Sequence, residues 1–142
     1  MTKRDPINPT DSEARKIAQG LLSDVRFGAI AVTHPDAHPP YAARIALLWH
    51  DAQLLTLIST LSLHTKALQE NPQCAALLGE PADKGDPLTH PRITLMCEAI
   101  AEDKAVHRTV WLDAIPKAKL YYDFSDFQMY RLDIKEAHLN GG

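Results

Sequence analysis

The alternation of apolar and polar positions along the chain predicts a protein built mainly from strands. Apolar runs of strand length recur between segments rich in proline, glycine and hydroxyl side chains. The strands predicted in this way cover residues 27–33, 41–49, 54–58, 74–78, 92–102 and 124–134. Thr10 and Glu13 form a capping box at the start of the first of three predicted helices. These helices cover residues 11–24, 62–71 and 104–114, and a short helical stretch begins at Pro116.

The segment over residues 54–68, LLTLISTLSLHTKAL, combines several features of an anion site. An apolar strand ends there in a turn, and Ser62 is placed to cap the helix that follows. The start of a helix offers unpaired backbone N–H groups and a partial positive charge, and Lys66 adds a cation. Hydroxyl side chains occur around the same point, at Ser59, Thr60, Ser62 and Thr65. The segment favours a phosphate site, and an ordinary capped helix with a solvated lysine is the alternative.

The strand predicted over residues 41–49 carries a charged side chain, Arg44, among apolar neighbours. A buried, unpaired charge is strongly unfavourable, so the guanidinium needs an external anion or a route to water. Ala42 and Ala46 share its face and leave room above it. A salt bridge to one of the 18 Asp and Glu residues is the alternative. The short turn at residues 50–52 predicts that this strand pairs with the next one, which ends at the hydroxyl-rich turn.

Composition excludes several classes of function. The 142 residues fit one domain, residues 1–142. The 15 Lys and Arg are outnumbered by 18 Asp and Glu and form no basic run, so nothing favours nucleic acid. No apolar stretch is long enough to span a membrane and the N-terminus does not resemble a signal peptide, so we expect a cytoplasmic protein without membrane contact. Cys74 and Cys97 lie in apolar runs and are expected to be buried free thiols.

Sequence motifs for common catalytic sites are missing. There is no Gly-rich dinucleotide fingerprint, no Walker loop, no nucleophile elbow and no dense cluster of His or Cys. His34 and His38 have the spacing of metal ligands on a helix, but the prolines around them forbid a helix, so we expect a solvated loop. The long loop over residues 79–91 is of a kind that is usually functional or lies against a partner. An enzyme without these motifs would most simply use an organic cofactor.

With these residues in place, the chain resembles the pyridoxamine 5'-phosphate oxidase-like flavoproteins from about residue 11 to residue 142. The resemblance is carried by Arg44, the Ser59–Thr60 turn and the Thr65–Lys66 pair. It implies an antiparallel split β-barrel of the FMN-binding type, with FMN at the interface of a homodimer. The strings STLSLHTKALQENPQCAALLGEPADKGDPLTHPRITL and DFQMYRLDIKEAHLNGG resemble the branch that contains haem-utilisation and haem-degrading members.

The resemblance also implies which residues contact the cofactor. They are Arg44, Ile45, Ala46, Leu47, Ser59, Thr60, Ser62, Thr65, Lys66 and Arg92. Arg44 and Lys66 would bind the FMN phosphate, and Thr65 would donate to it. Ser59 and Thr60 would lie against the ribityl chain or the phosphate. The backbone over residues 45–49 would follow the isoalloxazine ring, and Arg92 would reach the flavin of the other subunit.

Two departures from the family narrow the expected function. The vitamin-forming oxidases carry a C-terminal substrate-binding segment with Arg and His that has no counterpart here, so pyridoxamine phosphate oxidation is not expected. The C-terminal haem ligand of the haem-degrading members also has no counterpart. His64 and His138 are the nearest candidates, and each is expected to be a structural or surface histidine. We expect an FMN-dependent oxidoreductase with an unknown small-molecule substrate. A haem-binding protein on the same barrel and a dimeric scaffold with an empty cleft are the alternatives.

Overall fold

In the part of the chain that the computed structural model describes, residues 11–36 and 38–141, seven antiparallel strands form one sheet. The strands are β1 (Phe27–Thr33), β2 (Pro40–Ala46), β3 (Leu48–His50), β4 (Gln53–Ser59), β5 (Gln73–Leu78), β6 (Arg92–Glu102) and β7 (Phe127–Asn140). Their order across the sheet is β2-β1-β5-β6-β7-β4-β3. The sheet curls into a split β-barrel, which confirms the predicted fold class. The strands expected over residues 27–33 and 92–102 have the predicted bounds.

A break at Leu47 divides one predicted strand into two strands that lie at opposite edges of the sheet. The strand predicted over residues 41–49 is in fact two strands, because the consecutive Leu47 and Leu48 are both buried, which interrupts the alternation of a single strand. β2 therefore pairs with β1 at one edge of the sheet, and β3 pairs with β4 at the other. The predicted pairing across the turn at residues 50–52 is confirmed for β3, which pairs with β4, and is wrong for β2, the part of the predicted strand that carries Arg44. Arg44 lies opposite Ala29 of β1 instead.

Three helices flank the sheet among the described residues: α1 (Ser12–Asp24), α2 (Leu63–Glu70) and α3 (Arg108–Ala114). Asp11 caps α1 by accepting from the Ala14 N–H (2.8 Å), while Thr10 of the predicted capping box lies outside the described residues. Ser62 stands at the N-cap of α2 as predicted. No described helix combines the length and the apolar character needed to cross a bilayer.

The predicted bounds of one helix and one strand in the C-terminal half are wrong. The helix expected over residues 104–114 begins only at Arg108, and the strand expected over residues 124–134 runs from Phe127 to Asn140. The Lys104 ammonium donates to the carbonyls of residues 122, 124 and 127, and residues 104–107 and 121–126 form turns there instead of the predicted helix start and strand start. β7 then continues to Asn140 because β6 pairs with it over its whole length.

Both faces of the sheet bury apolar side chains, but to different extents. The inner face forms the main core, and α2 closes one end of it with Ala67 and Leu68. The outer face of β3, β4 and the first part of β7 is covered by α3 and a 3₁₀ helix, Pro116–Leu120, and we call it the covered half. The outer face of β1, β2, β5 and the start of β6 has no such cover among the described residues, and we call it the bare half.

Cys74 and Cys97 are opposite each other on β5 and β6, inside the main core. Both are free thiols, as predicted. Burial raises the pKa of the Cys74 thiol to about 12, with a smaller contribution from the neighbouring Cys97. Burial likewise raises the pKa of the Cys97 thiol to about 11, assisted by Asp133. Both thiols therefore stay protonated at neutral pH and behave as small apolar side chains.

Candidate functional site

The turn that follows β4 is fixed by hydrogen bonds to the segment before β7. The Ser59 hydroxyl donates to the Asp126 carboxylate (2.7 Å) and accepts from the Leu61 N–H (3.1 Å). The Thr60 N–H donates to the Asp126 carbonyl (2.7 Å). The Ser62 N–H closes the turn on the Ser59 carbonyl (3.1 Å). The hydroxyl-rich turn is thus a rigid structure that delivers the chain to the start of α2.

The start of α2 has the features of an anion site. The Ser62 side chain makes no capping hydrogen bond, so it does not neutralise the partial positive charge of the first turn. Lys66 is exposed in that turn, and its N–H donates to the Ser62 carbonyl (3.2 Å). Thr65 is fully buried, and its hydroxyl has no partner within the described residues. Leaving such a hydroxyl unsatisfied costs about 1–3 kcal/mol.

Arg44 lies on the outer face of β2, in the bare half. Its side chain is exposed, so the guanidinium reaches water, which is one of the outcomes expected from the sequence. The guanidinium carbon lies 5.8 Å from the centre of the Phe27 ring. It lines a cavity of about 300 Å³ together with Ala42, Phe27 and Glu80. α2 packs against β1 and β2 but contributes its buried residues to the inner core. Arg44 and Lys66 could therefore meet only around the free edge of β2, and their shared phosphate stays a prediction.

The backbone of β2 offers polar groups along that free edge. The side chains of Ile45 and Leu47 are buried in the core, and their backbone groups point towards β1, where the Leu47 N–H donates to the Arg26 carbonyl (2.9 Å), so these two residues present no polar group to a ligand at that edge. The Ala46 carbonyl accepts from the Thr56 hydroxyl (2.7 Å), away from β1. Backbone groups alternate in direction along an antiparallel strand, so those of Arg44 point to the same side as those of Ala46. A planar ligand at the edge of β2 could meet the backbone groups of Arg44, whereas the Ala46 carbonyl is already bonded to the buried Thr56 side chain.

Arg92 is far from the hydroxyl-rich turn within one chain. Its guanidinium donates to the carbonyls of Leu88 (2.7 Å) and His90 (3.2 Å) and so fixes the loop before β6. Arg92 pairs with Asn140 at one end of β7, whereas Ser59 pairs with Phe127 at the other end. Thirteen residues of strand separate these points, which is about 40 Å along β7. Arg92 and Ser59 could contact one ligand only if the ligand lies between two copies of the chain.

Sequence reasoning missed two residues that build this site, Asp126 and Lys104. The Lys104 ammonium donates to the carbonyls of Tyr122 (2.9 Å), Phe124 (2.7 Å) and Phe127 (2.8 Å). The Tyr122 hydroxyl donates in return to the Lys104 carbonyl, and burial raises the pKa of Tyr122 to about 12. Both Asp126 and Lys104 lie in polar stretches with no motif, so only their tertiary contacts reveal them.

The histidines and a second cavity complete the surroundings. Burial lowers the pKa of His64, in the first turn of α2, so its imidazole is held in the neutral form. His138 is exposed on β7, and its Nε2 lies 3.2 Å from the Glu136 carboxylate.

A second cavity, of about 500 Å³, lies between α1 and β1. It adjoins the cavity at Arg44, because Phe27 and Glu80 line both. Within residues 11–36 and 38–141, no three His, Cys, Asp or Glu side chains are grouped closely enough to hold a metal ion.

Comparison with known proteins gives one curated relative and many structures. No protein-family model matches the chain. The chain is 36% identical over 96 residues to "Non-canonical heme oxygenase HOZ, chloroplastic" from Arabidopsis thaliana, a match that covers 65% of this chain and 28% of the relative. One solved structure is 34% identical, with a TM-score of 0.87 over 93% of this chain and 88% of its own. A haem-binding protein from Mycobacterium smegmatis is 24% identical, with a TM-score of 0.83 over 96% of this chain and 56% of its own.

More distant structures share the fold alone. HutZ from Vibrio cholerae, described as a haem storage protein, is 15% identical with a TM-score of 0.68, over 90% of this chain and 94% of its own. An FAD-binding protein from Mesorhizobium loti is 14% identical with a TM-score of 0.67, over 87% of this chain and 89% of its own. The chain thus matches flavin-binding and haem-binding proteins of one fold. It spans little more than a quarter of the Arabidopsis relative and just over half of the M. smegmatis protein.

Proposed function

Because this chain belongs to the pyridoxamine 5'-phosphate oxidase-like split-barrel family, in its haem-utilisation branch, we propose that it binds FMN by the phosphate at the start of α2. The observation that carries the proposal is the set of unused groups there: an N-cap without its side-chain hydrogen bond, the unpartnered Thr65 hydroxyl and the exposed Lys66. A phosphate monoester carries about -1.5 to -2 charges at neutral pH, which Lys66 and Arg44 would neutralise.

The residues present fit such a group. Phosphate oxygens are acceptors, and the first turn of α2 offers backbone N–H donors, an ammonium and a hydroxyl. The free edge of β2 would hold the polar edge of the ring through the backbone groups of Arg44, which point away from β1. Bound FMN would supply hydride or electron transfer, so the proposed activity is that of an oxidoreductase. The protein itself would bind and orient the flavin and limit its contact with water.

We also propose that a second copy of the chain completes the site. The cavity at Arg44 is small and lies on an exposed face, whereas a ligand of this size is usually mostly enclosed. The bare half carries large apolar side chains beside it, at Phe27, Leu77 and Met96. Arg92 could reach the same flavin only from the other subunit. Sedimentation should give about twice the 15.8 kDa of one chain, and a monomer would contradict the proposal.

Haem is the second candidate ligand, on the same barrel. It is favoured by the similarity of the chain to the non-canonical haem oxygenase from Arabidopsis. His64 suits an iron ligand in one respect, because burial favours its neutral imidazole. Haem titration followed by the Soret band tests this candidate. A saturable shift that His64→Ala abolishes and His138→Ala leaves unchanged would support it, and the absence of saturable binding would remove it.

FMN titration tests the main proposal. Protein fluorescence and the melting temperature should both respond to FMN, and Lys66→Ala should weaken binding about 10- to 150-fold, because charge-assisted contacts are worth about 1.5–3 kcal/mol. Lys119→Ala is the matched control, since Lys119 is exposed in the 3₁₀ helix of the covered half. If FMN leaves the melting temperature unchanged, or if the two lysine variants bind FMN equally, the phosphate site is wrong.

The cellular location belongs to the same proposal. We propose that the protein works in a reducing compartment, the cytoplasm. Support comes from Cys74 and Cys97, which face each other across two strands and yet are free thiols. The oxidation state of the two cysteines in protein taken directly from cells, read by thiol alkylation and mass spectrometry, tests this. A disulfide in that sample would contradict it.

A further inference from the structure

The hydroxyl-rich turn is held by one acidic residue from a distant part of the chain. Asp126 contacts the turn twice, through its carboxylate on Ser59 and through its carbonyl on Thr60, both at 2.7 Å. We propose that Asp126 is the positioning residue of the phosphate-binding turn and that Lys104 fixes Asp126 in place. This inference rests on the proposed function, because it assigns a role within the same site.

The hydrogen bonds of Ser59 show why it orients the turn and is not a ligand. A serine hydroxyl has one O–H donor, and that of Ser59 is used on Asp126. Its oxygen also accepts from the Leu61 N–H (3.1 Å), which shapes the turn from inside. A phosphate needs donors, so Ser59 has none to give while this bond is made. The direct contact that the resemblance assigns to Ser59 becomes an indirect one through the shape of the turn.

Electrostatics point to a geometric role for Asp126. A carboxylate next to a bound phosphate dianion is repulsive, so its charge lowers the affinity. The benefit that offsets this repulsion must come from the geometry that Asp126 imposes. Its bond to Ser59 is half-buried, which makes that geometry firmer than a solvated contact would.

The segment that carries Asp126 is itself rigid. All three N–H donors of the Lys104 ammonium are used on carbonyls of residues 122, 124 and 127, which bracket Asp126. Arg108 adds a bidentate contact to Asp123 at the other side of this segment (2.9 and 2.8 Å). The start of α2 is therefore connected to the covered half through Lys104, Asp126 and Ser59 in succession.

The test compares the affinities for FMN and for riboflavin, which lacks the phosphate. Asp126→Ala should weaken FMN about 10- to 100-fold and leave riboflavin within a factor of about three, because only the phosphate contacts depend on the turn. Asp126→Asn keeps an acceptor oxygen for Ser59 and should retain most of the FMN affinity. Asp113→Ala is the matched control, since it removes an exposed carboxylate of α3 that makes no hydrogen bond to the turn or to the segment that carries Asp126.

The outcomes separate this inference from the proposed function. If FMN and riboflavin weaken equally in Asp126→Ala, or if Asp126→Ala and Asp113→Ala behave alike, Asp126 has only a structural role and the inference is overturned. If the wild-type protein does not bind FMN, both proposals fail together. If Lys66→Ala weakens FMN and Asp126→Ala does not, the inference fails alone. Should Asp126→Ala not fold, Ser59→Ala removes the other partner of the same bond and must show the same selective loss of FMN.

Discussion

The covered half and the bare half of the outer face carry similar apolar side chains but bury them to different extents. In the covered half, Leu55 and Met129 are at most 1% exposed beneath α3 and the 3₁₀ helix, and Trp111 of α3 is fully buried in the same cluster. In the bare half, Phe27 and Leu77 are 45% and 46% exposed, although they lie on equally regular strands. Helix α3 and the 3₁₀ helix cover the outer face of the covered half, whereas no described residues cover the bare half.

This difference separates the part of the molecule that stabilises the fold from the part available for association. Burial of large apolar side chains stabilises the covered half, whereas exposed apolar residues grouped on one face mark a surface for a partner. Arg44 and the cavity that it lines lie in the bare half. The proposed ligand and the proposed second copy would thus use the same face.

The largest expected effect is on the covered half. Trp111→Ala should lower the free energy of unfolding by about 3–5 kcal/mol, because it removes a fully buried aromatic side chain and leaves a cavity. Urea denaturation followed by circular dichroism measures this change. Leu120→Ala is the control from the same half, since Leu120 is 80% exposed and should change stability by less than about 0.5 kcal/mol. Equal losses in the two variants would mean that the covered half is not packed as described.

The next largest effect is on the proposed association of two copies through the bare half, and it should leave each chain folded. Leu77→Lys puts a charge in the centre of the proposed subunit interface, and burying an unpaired charge there should weaken the dimer about 100-fold or more. Sedimentation velocity over a dilution series gives the dissociation constant. Leu120→Lys, in the exposed part of the covered half, should leave it unchanged. A Leu77→Lys protein that stays dimeric at the wild-type concentration would place the interface elsewhere.

A smaller effect concerns the inner face of β1, on the opposite side of the sheet from the bare half, where the packing is tight. A Cβ added at Gly28 of β1 would lie 2.7 Å from the Leu77 carbonyl oxygen and 2.9 Å from the Leu47 side chain. Gly28→Ala should therefore cost about 1–3 kcal/mol of stability, as overpacking usually does. Gly20→Ala is the opposite case, because nothing lies within 4 Å of a Cβ there and α1 should gain about 0.5–1 kcal/mol. Thermal unfolding of both variants should give shifts of opposite sign, and a stabilising Gly28→Ala would contradict the packing.

Much of the fold could be predicted because local patterns determine it. Apolar runs bounded by turn residues give β1 and β6 to the residue, and Ser62 marks the start of α2. The break at Leu47 could not be predicted, because two consecutive buried leucines look like one longer strand until the sheet curls. Lys104 likewise appears to belong to a helix until its ammonium finds carbonyls about 20 residues away.

The candidate site divides in the same way. The groups that follow one another in sequence, from Ser59 to Lys66, do lie together at the start of α2. The contribution of Arg44 depends on which face of β2 it occupies and on what lies beyond the edge of that strand. Asp126 is brought to the turn by the pairing of β4 with β7, which no local pattern records. The sequence could therefore predict the proposed anion site but not the residue that supports its turn.

The smallest expected effect is a pH dependence at the end of the barrel where α2 packs against β1 and β2. Burial lowers the pKa of His64 below its ordinary value of 6.5, so the unfolded chain binds a proton more readily than the folded one. This unfavourable contribution is absent well above pH 6.5 and appears as the pH falls through that value towards the lowered pKa. Wild-type stability should therefore fall more steeply than that of His64→Gln between about pH 7 and pH 5. His138→Gln, at an exposed position, is the control.

FMN should change this slope in a defined direction. A phosphate dianion at the first turn of α2 favours the protonated imidazole and so raises the pKa of His64 towards its ordinary value. With saturating FMN, the difference in pH slope between the wild-type protein and His64→Gln should shrink, because the folded and unfolded pKa values come closer together. Chemical denaturation at several pH values, with FMN and then with riboflavin, measures it. An equal slope difference with both ligands would mean that no phosphate lies near His64, which would contradict the anion site at α2 even if flavin binds elsewhere on the bare half.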